Sequence, residues 1–493
     1  MAKADNFNSD IHSYSYLSHY TKKKITSSSL MDIFRKEKWP LDGVWNYTVD
    51  AYNSALRAHW IERQNSKGPK DFSFEGNGEI KVPSCINSIK GLEYFEGSII
   101  YTRKLKLDDK MKGHKRYFIH AEGILARAFL FFNGEYLGYH EGGSTPFTVE
   151  ITKLLKDENE IAIIVNTERY NEAIPSANFD WFNYGGIYRS IYLMASDEKA
   201  YVKSTSISYK EGFLSVKVDF VGTNRKEIVL KTKNKEIIIP PSGAITLPFN
   251  DVHLWSLEDP YLYTFTLKVG FEELTYHVGL REIEVVQDKI LLNKKEIFLK
   301  GVCVHEEYGK KGKCASKKDI LSVIKDAKEL GCNYLRLTHY PHSREFASLA
   351  DREGILLWEE IPVYWAIEFK NKSTYQNAEN QLKELIYRDR SRASVIIWSV
   401  GNENEDSDER LAFMSSLAKT AKEIDNTRLT SAACIVNPKK VKIDDRLASK
   451  LDIIGVNEYY GWFDEDVNKL TLLFENSKVT KPLIISEFGA GAL

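Results

Sequence analysis

Residues 395–403 read VIIWSVGNE, a nearly unbroken apolar run that ends on Asn402 and Glu403. An apolar run with no polar alternation fits a strand buried on both faces, as in a parallel sheet covered by helices. Similar runs flank it: 297–306 (IFLKGVCVHE), 332–340 (CNYLRLTHY), 354–362 (GILLWEEIP), 429–436 (LTSAACIV), 451–460 (LDIIGVNEYY) and 482–489 (PLIISEFG). Amphipathic helices separate most of them. The first begins near Ser316, where Ser316 and Asp319 form a capping-box pattern; Ile320, Ile324, Ala327 and Leu330 make one apolar stripe, and Gly331 stops it. Others are predicted after Ser343, through 374–390, through Leu411, Met414, Leu417 and Ala421, and near 465–477.

Seven such β/α units in series specify either a doubly wound sheet or a (β/α)₈ barrel. Polar residues close nearly every strand at its C-terminal end, where the βα loops of a barrel converge on one mouth. A doubly wound sheet would gather them at a switch point, and no glycine-rich phosphate loop follows any strand. The barrel is the expected fold of residues 286–493.

Upstream the pattern changes to short β-like runs broken by turn residues, including 98–107 (SIIYTRKLKL), 126–143 (ARAFLFFNGEYLGYHEGG) and 161–170 (IAIIVNTERY). These predict a β-sandwich over 38–200 and a second, smaller one over 201–285. Residues 1–37 are polar, carry Lys22–Lys24 without a following apolar stretch, and are expected to be a flexible start rather than a secretory signal. No segment approaches the roughly 20 apolar residues needed to span a bilayer. Lys and Arg number 68 against 69 Asp and Glu, which gives no basic footprint for nucleic acid or an anionic membrane. Five scattered cysteines without CxxC pairs indicate neither a zinc site nor a disulfide framework and fit a reducing, cytoplasmic setting. No cofactor is expected, and a homo-oligomer is left open.

The strand ends supply His305, Glu306 and Glu307; His339 and His342; Glu359 and Glu360; Asn402, Glu403 and Glu405; Asn457, Glu458 and Tyr459; and Glu487. Acids and amides among Trp358, Trp365, Trp398, Tyr459, Tyr460 and Trp462 suit a sugar, whose apolar faces stack on rings while its hydroxyls take hydrogen bonds. A glycosidase needs two carboxyl groups, about 5–5.5 Å apart if configuration is retained. A metal hydrolase needs converging His and carboxylate ligands, and no HxH or HExxH pair occurs. Glu306, Glu307 and Glu405 read as solvated loop charges, Glu359 and Glu360 as partners for Arg336 or other cations, and His342 as a packing residue. Glu403 and Glu487 end the two most hydrophobic strands, where an unneeded acid is costly. The pattern yields a carboxylate-rich mouth without selecting the reacting pair.

At these residues the sequence resembles glycoside hydrolase family 2, the β-galactosidase, β-glucuronidase and β-mannosidase group. The likeness runs in order through WPLDGVWNY (39–47), GYHEGGSTPF (138–147), FDWFNYGGIYRS (179–190), LWSLEDPYLY (254–263), LRLTHYPHS (335–343), VIIWSVGNENE (395–405), VNEYYGW (456–462) and IISEFG (484–489). The resemblance implies a jelly-roll sandwich, an immunoglobulin-like sandwich and a TIM barrel. It implies Glu403 as acid/base and Glu487 as nucleophile of a retaining reaction. It further implies Asn402 at the sugar 2-hydroxyl, His305 and His339 in the sugar subsite, and Asn457 and Tyr459 orienting nucleophile and sugar. Asp180 would reach in from the first sandwich, whereas Arg189 reads as structural. FNYGGIYRS, THYPHS, WEEIPVYW and NEYYGW look most like the β-glucuronidase branch, with β-galactosidase or an inactive carbohydrate-binding fragment as alternatives. Glucuronidases grip the sugar carboxylate with an Asn-x-Lys motif beyond the nucleophile, and this sequence stops six residues after Glu487. The expected barrel therefore lacks its last strand and helices, which would leave sheet edges open.

Overall fold

A computed structural model describes residues 19–63, 78–233 and 235–489. Its largest sheet is parallel, with seven strands in sequential order: β1 (Gly301–Val304), β2 (Tyr334–Leu337), β3 (Leu356–Glu360), β4 (Val395–Asn402), β5 (Leu429–Cys434), β6 (Ile454–Asn457) and β7 (Leu483–Glu487). Every residue of β3, β4 and β5 is buried, as their period-free apolar sequences require. Helices α1 (Lys317–Glu329), α2 (Arg344–Glu353), α3 (Lys372–Asp389), α4 (Asp408–Ile424) and α5 (Lys469–Ser477) accompany the sheet. Ser316 and Asp319 close a reciprocal capping box on α1, and Ser343, Asn371 and Ser407 cap α2, α3 and α4 through their side chains. Ile320, Ile324 and Ala327 of α1 are buried, but Leu330, expected on the same stripe, caps the helix and is 75% exposed.

The sheet curls into a nearly closed barrel. Its outer strands β1 and β7 approach each other at the mouth, where Cys303 Sγ donates to the Ser486 carbonyl at 3.1 Å. Between them a cavity of about 990 Å³ runs up to His305, Arg336, His339, Tyr459 and Glu487.

The region before the barrel folds as antiparallel sandwiches. In the first, a six-stranded sheet runs in the order Glu79–Val82, Gly43–Asp50, Ser98–Lys106, Glu158–Asn166, Arg127–Phe132, Glu135–Glu141. It faces a four-stranded sheet of Lys38–Pro40, Ile191–Ser196, Arg116–Ala121 and Phe147–Glu150 across a core that includes Trp45, Ile99, Leu130 and Ile163. Two single-turn helices, Ser54–Arg57 and Trp60–Arg63, lie outside the strand pattern read from the sequence. The second sandwich pairs three strands (Tyr201–Lys210, Phe213–Val221, Ala244–Pro248) with four (Lys235–Ile239, Ile228–Thr232, Tyr263–Val269, Glu272–Val278) around Leu214, Leu230, Phe265 and Leu274.

Of the N-terminal segment expected to be flexible, residues 1–18 lie outside the described residues. Residues 19–37 pack: Tyr20, Leu30 and Met31 are buried, and the Ser27 N–H donates to Asn380 Oδ1 of α3 at 2.8 Å. A polar composition concealed a few well-placed apolar anchors. Among the described residues no helix is long and apolar enough to cross a membrane.

The first sandwich is fastened to the barrel mouth. Ile174 joins the barrel core, Gln381 Nε2 donates to its carbonyl at 2.9 Å, and Ser176 Oγ donates to the Ala366 carbonyl at 2.8 Å. Arg189 pairs with Glu306 at 2.7 Å and donates to the Pro341 carbonyl at 2.9 Å. These ties bring the loop holding Asp180 and Trp181 to the ends of the barrel strands.

Candidate active site

The site is organised by a cation in the middle of β2. Arg336 stands between Leu335 and Leu337 and is 1% exposed. Its Nε and Nη2 donate to the two oxygens of Glu360 on β3, at 3.0 and 3.2 Å. Nη2 also donates to Asn402 Oδ1 on β4 at 2.6 Å, and Nη1 to Glu487 Oε1 on β7 at 2.7 Å. The planar guanidinium fork allows one side chain to bind three strand ends, which a lysine cannot do. Burial disfavours its charge, but Glu360 and Glu487 outweigh burial, so Arg336 stays a cation. Burial likewise pushes the Glu360 carboxyl up, while Arg336 and His339 overcome that effect and hold it at about 2.

Glu487 is gripped on both oxygens. Arg336 holds Oε1, the Tyr459 hydroxyl donates to Oε2, and His339 Nε2 lies 3.6 Å from Oε1. His339 Nδ1 is in turn 2.7 Å from Glu360 Oε1, which fixes the ring. Asn402 and Asn457 are linked, Asn457 Nδ2 donating to Asn402 Oδ1 at 3.1 Å, and Ser486 Oγ donates to Asn457 Oδ1 at 2.8 Å.

Glu403 has a different environment. Trp365 Nε1 donates to its Oε2 at 3.0 Å, and Asn402 Nδ2 reaches the same oxygen at 3.3 Å. No ion pair involves Glu403 among the described residues. Both acids nevertheless act on the same space, because the hydroxyls of Tyr364 and Tyr459, already pushed up by burial, are pushed further by Glu403 and by Glu487.

The wall opposite comes from the sandwich. Trp181 stacks on His339 with centroids 5.9 Å apart and meets Tyr364 edge-on at 5.0 Å. Asp180 beside it is exposed, makes no hydrogen bond among the described residues, and bears on the Tyr364 hydroxyl through its charge. His305 lies against Trp181 and His339, with Nδ1 3.2 Å from the Tyr340 hydroxyl. More than a third of its surface stays open, but the imidazole is walled on several sides. That desolvation, reinforced by His339 and Lys313, pushes it down to about 3, so it is neutral near pH 7.

Thus Glu403, Glu487, Asn402, Asn457, Tyr459 and His339 form one connected set, with His305 and Asp180 at its edge. Sequence reasoning expected Glu360 to pair with Arg336, as it does, but read the pair only as structural, and it missed Trp181 as part of the site. An arginine in an otherwise apolar strand was the available signal. Glu306, expected as a solvated loop charge, is instead 1% exposed; Arg189 neutralises it, and it accepts the Ser343 N–H at 2.8 Å. Glu359 is buried beside Arg388 at 3.8 Å, and burial raises its carboxyl well above the usual range, which suits a neutral acid outside the mouth. His342 packs, its Nε2 2.9 Å from the Thr338 carbonyl. Among the described residues no group of three or more His, Cys, Asp or Glu could hold a metal ion.

Comparison with known proteins accounts for all three folded regions together. Residues 39–197 match the sugar binding domain of glycosyl hydrolases family 2, residues 194–281 match the family's middle domain, and residues 283–493 match its TIM barrel domain. The chain belongs to glycoside hydrolase family 2. Within family 2 it is 26% identical over 520 residues to the β-glucuronidase of Streptococcus agalactiae, covering 93% of this chain and 83% of that protein. It is 31% identical over 371 residues to the β-galactosidase of Thermoanaerobacterium thermosulfurigenes, covering 67% of this chain and 50% of that one. A solved structure, the β-glucuronidase from Ruminococcus gnavus in complex with D-glucuronic acid, superposes with a TM-score of 0.82 at 22% identity, covering 95% of this chain and 86% of that one. That likeness speaks to the fold. The protein is a glycoside hydrolase.

Proposed function

We propose that the protein is a retaining exo-β-glycosidase that releases terminal β-D-glucuronic acid by double displacement. The observation that carries this reading is the asymmetry of the two acids. Glu487 sits beside a buried cation and takes a donor on each oxygen, which suits a group that must remain a carboxylate in order to attack. Glu403 meets only neutral donors, which suits a group that alternately gives and takes a proton. Two carboxyl groups in unlike environments are the usual basis of such a division of labour.

In the first step Glu487 attacks the anomeric carbon, the bond to the aglycone oxygen breaks, and Glu403 passes its proton to that oxygen. In the second, Glu403 takes a proton from water, the resulting hydroxyl attacks the same carbon, and Glu487 departs. Two inversions give net retention. Asn402, held by Arg336 and Asn457, is available to the sugar 2-hydroxyl, where a hydrogen bond strengthens as positive charge develops on the ring. Trp181 and Tyr364 offer apolar faces for the pyranose, and Asp180 and His305 polar groups for its hydroxyls.

The glucuronide assignment draws on the similarity to β-glucuronidases over most of both chains, whereas the higher local identity to a β-galactosidase favours a galactoside as the second reading. A panel of 4-nitrophenyl β-glycosides separates them. Fastest release from the glucuronide supports the proposal, fastest release from the galactoside replaces the sugar, and release from none rejects catalysis by this chain. In Glu487→Gly, azide should restore turnover and yield the α-glycosyl azide; a β-azide would exchange the two acids' roles.

A further inference from the structure

Glu403 and Trp365 share an uncommon backbone. Both are non-glycine residues in the left-handed region, at φ 52° and 50°. Such a conformation is costly and persists only where surrounding contacts over-determine it. Here they do so from both sides. The Trp365 N–H donates to the Asn402 carbonyl at 3.0 Å, and Asn404 Nδ2 donates to the Trp365 carbonyl at 2.8 Å. Tyr364 forms an isolated parallel bridge with Asn402, and the Glu403 N–H donates to the Ala433 carbonyl at 2.9 Å. The loop after β3 is thereby bound to the residues immediately before and after Glu403, and the indole also rests on Tyr364 with centroids 4.5 Å apart.

The result is specific at the carboxyl group. Both donors that reach Glu403, the indole N–H and the Asn402 amide, meet Oε2, and among the described residues none reaches Oε1. An oxygen facing two N–H groups cannot carry a proton toward them, so a proton on this acid resides on the other oxygen. Resting on the reading of Glu403 as the acid/base, we infer that Trp365 is a positioning residue for catalysis. Its indole N–H, with the Asn402 amide, occupies Oε2 so that Oε1 carries the transferable proton at a fixed orientation. The left-handed turns at 365 and 403 are what bring the indole and the carboxyl together.

Trp365→Phe in the full chain tests this, because it keeps an aromatic ring for Tyr364 while the donor goes with the rest of the indole, and a simple loss of packing would not depend on the leaving group. The measurement is kcat/KM for substituted phenyl β-glycosides of the sugar that the wild type prefers, plotted against the pKa of the leaving phenol. Ring size barely changes across the series, but the need for proton donation grows as the phenol becomes less acidic. Losing one hydrogen bond to an ionisable carboxyl should lower kcat/KM about 10- to 100-fold for poor leaving groups. For 2,4-dinitrophenol, which departs without a proton, the fall should be under about 3-fold, so the plot steepens. The slope compares substrates within one preparation and is therefore independent of how much of the variant is folded. A parallel offset, with the same loss at every phenol, would overturn the inference while leaving Glu403 as the acid. No loss in Glu403→Gln for poor leaving groups would instead remove Glu403 as the acid and the inference with it.

Discussion

Replacing Tyr459 by phenylalanine removes one hydroxyl from the edge of the Glu487 carboxylate and nothing else. The hydroxyl donates to Oε2, while Oε1 keeps Arg336 at 2.7 Å, so the variant retains its cation and loses one of its two anchors. A hydrogen bond to an ionised partner contributes about 1.5–3 kcal/mol, and each 1.36 kcal/mol is a decade in rate, which sets a range of about 10- to 150-fold in kcat/KM. Tyr459 is only half-buried, so water takes over part of the bond and the expected loss lies in the lower part of that range, about 10- to 30-fold. Because on the proposed mechanism the hydroxyl orients the nucleophile rather than binding the aglycone, the loss should be alike for good and poor leaving groups. Initial rates on the preferred nitrophenyl glycoside give the size, and urea unfolding midpoints matching the wild type show that the fold is intact. A change below about 3-fold in a fully folded variant would refute the argument that Tyr459 positions Glu487.

Two further outcomes follow from the charges. Arg336→Met leaves Glu360, 1% exposed, and Glu487 without their shared cation; breaking such a buried arrangement costs about 3–5 kcal/mol of stability, read by urea denaturation, and kcat/KM should fall at least about 100-fold. Arg336→Lys should recover little, since a point ammonium cannot reach Glu360, Asn402 and Glu487 together. Lys313, 2% exposed with its Nζ 3.0 Å from the Tyr340 ring centroid, is pushed down by burial to about 7 in the folded chain, against 10.5 ordinarily, with Glu306 offsetting part of the effect. Between pH 7 and 10.5 the unfolded chain therefore holds a proton that the folded chain has released, and wild-type stability rises with pH in that window. Lys313→Met lacks this linkage. Wild type should gain about 2 kcal/mol relative to the variant between pH 7 and 8.5 by urea unfolding; equal changes in both proteins would refute a neutral buried amine.

How far the sequence leads depends on the range of the interaction being read. The barrel strands were legible because burial on both faces leaves runs such as 395–403 without polar alternation, and because Ser316 and Asp319 sit three residues apart, within reach of local hydrogen bonds. Leu330 shows where even this local reading stops, since the apolar spacing continued past the last helical residue and could not show that the chain there no longer faced the core. Glu306 was misread because the arginine that neutralises it lies 117 positions earlier, in another domain.

The proposed reacting pair was beyond spacing arguments for the same reason, in stronger form. Arg336 binds Glu360, Asn402 and Glu487 at separations of 24, 66 and 151 residues, each on a different strand. Which acid receives the cation is decided by how strands rotate around a barrel, and no local pattern records that rotation. Yet that choice separates the two candidate acids more sharply than anything in their own sequence neighbourhoods. Both end apolar strands and both follow small or polar residues, but only Glu487 meets the guanidinium of Arg336, while Glu403 has a left-handed backbone and meets the indole of Trp365. Exchanging the surroundings, by moving a cation next to Glu403, should therefore damage proton transfer even with both carboxyl groups intact. On the proposed reading the chemistry resides in the asymmetry of the pair, and the barrel's order of strands creates that asymmetry.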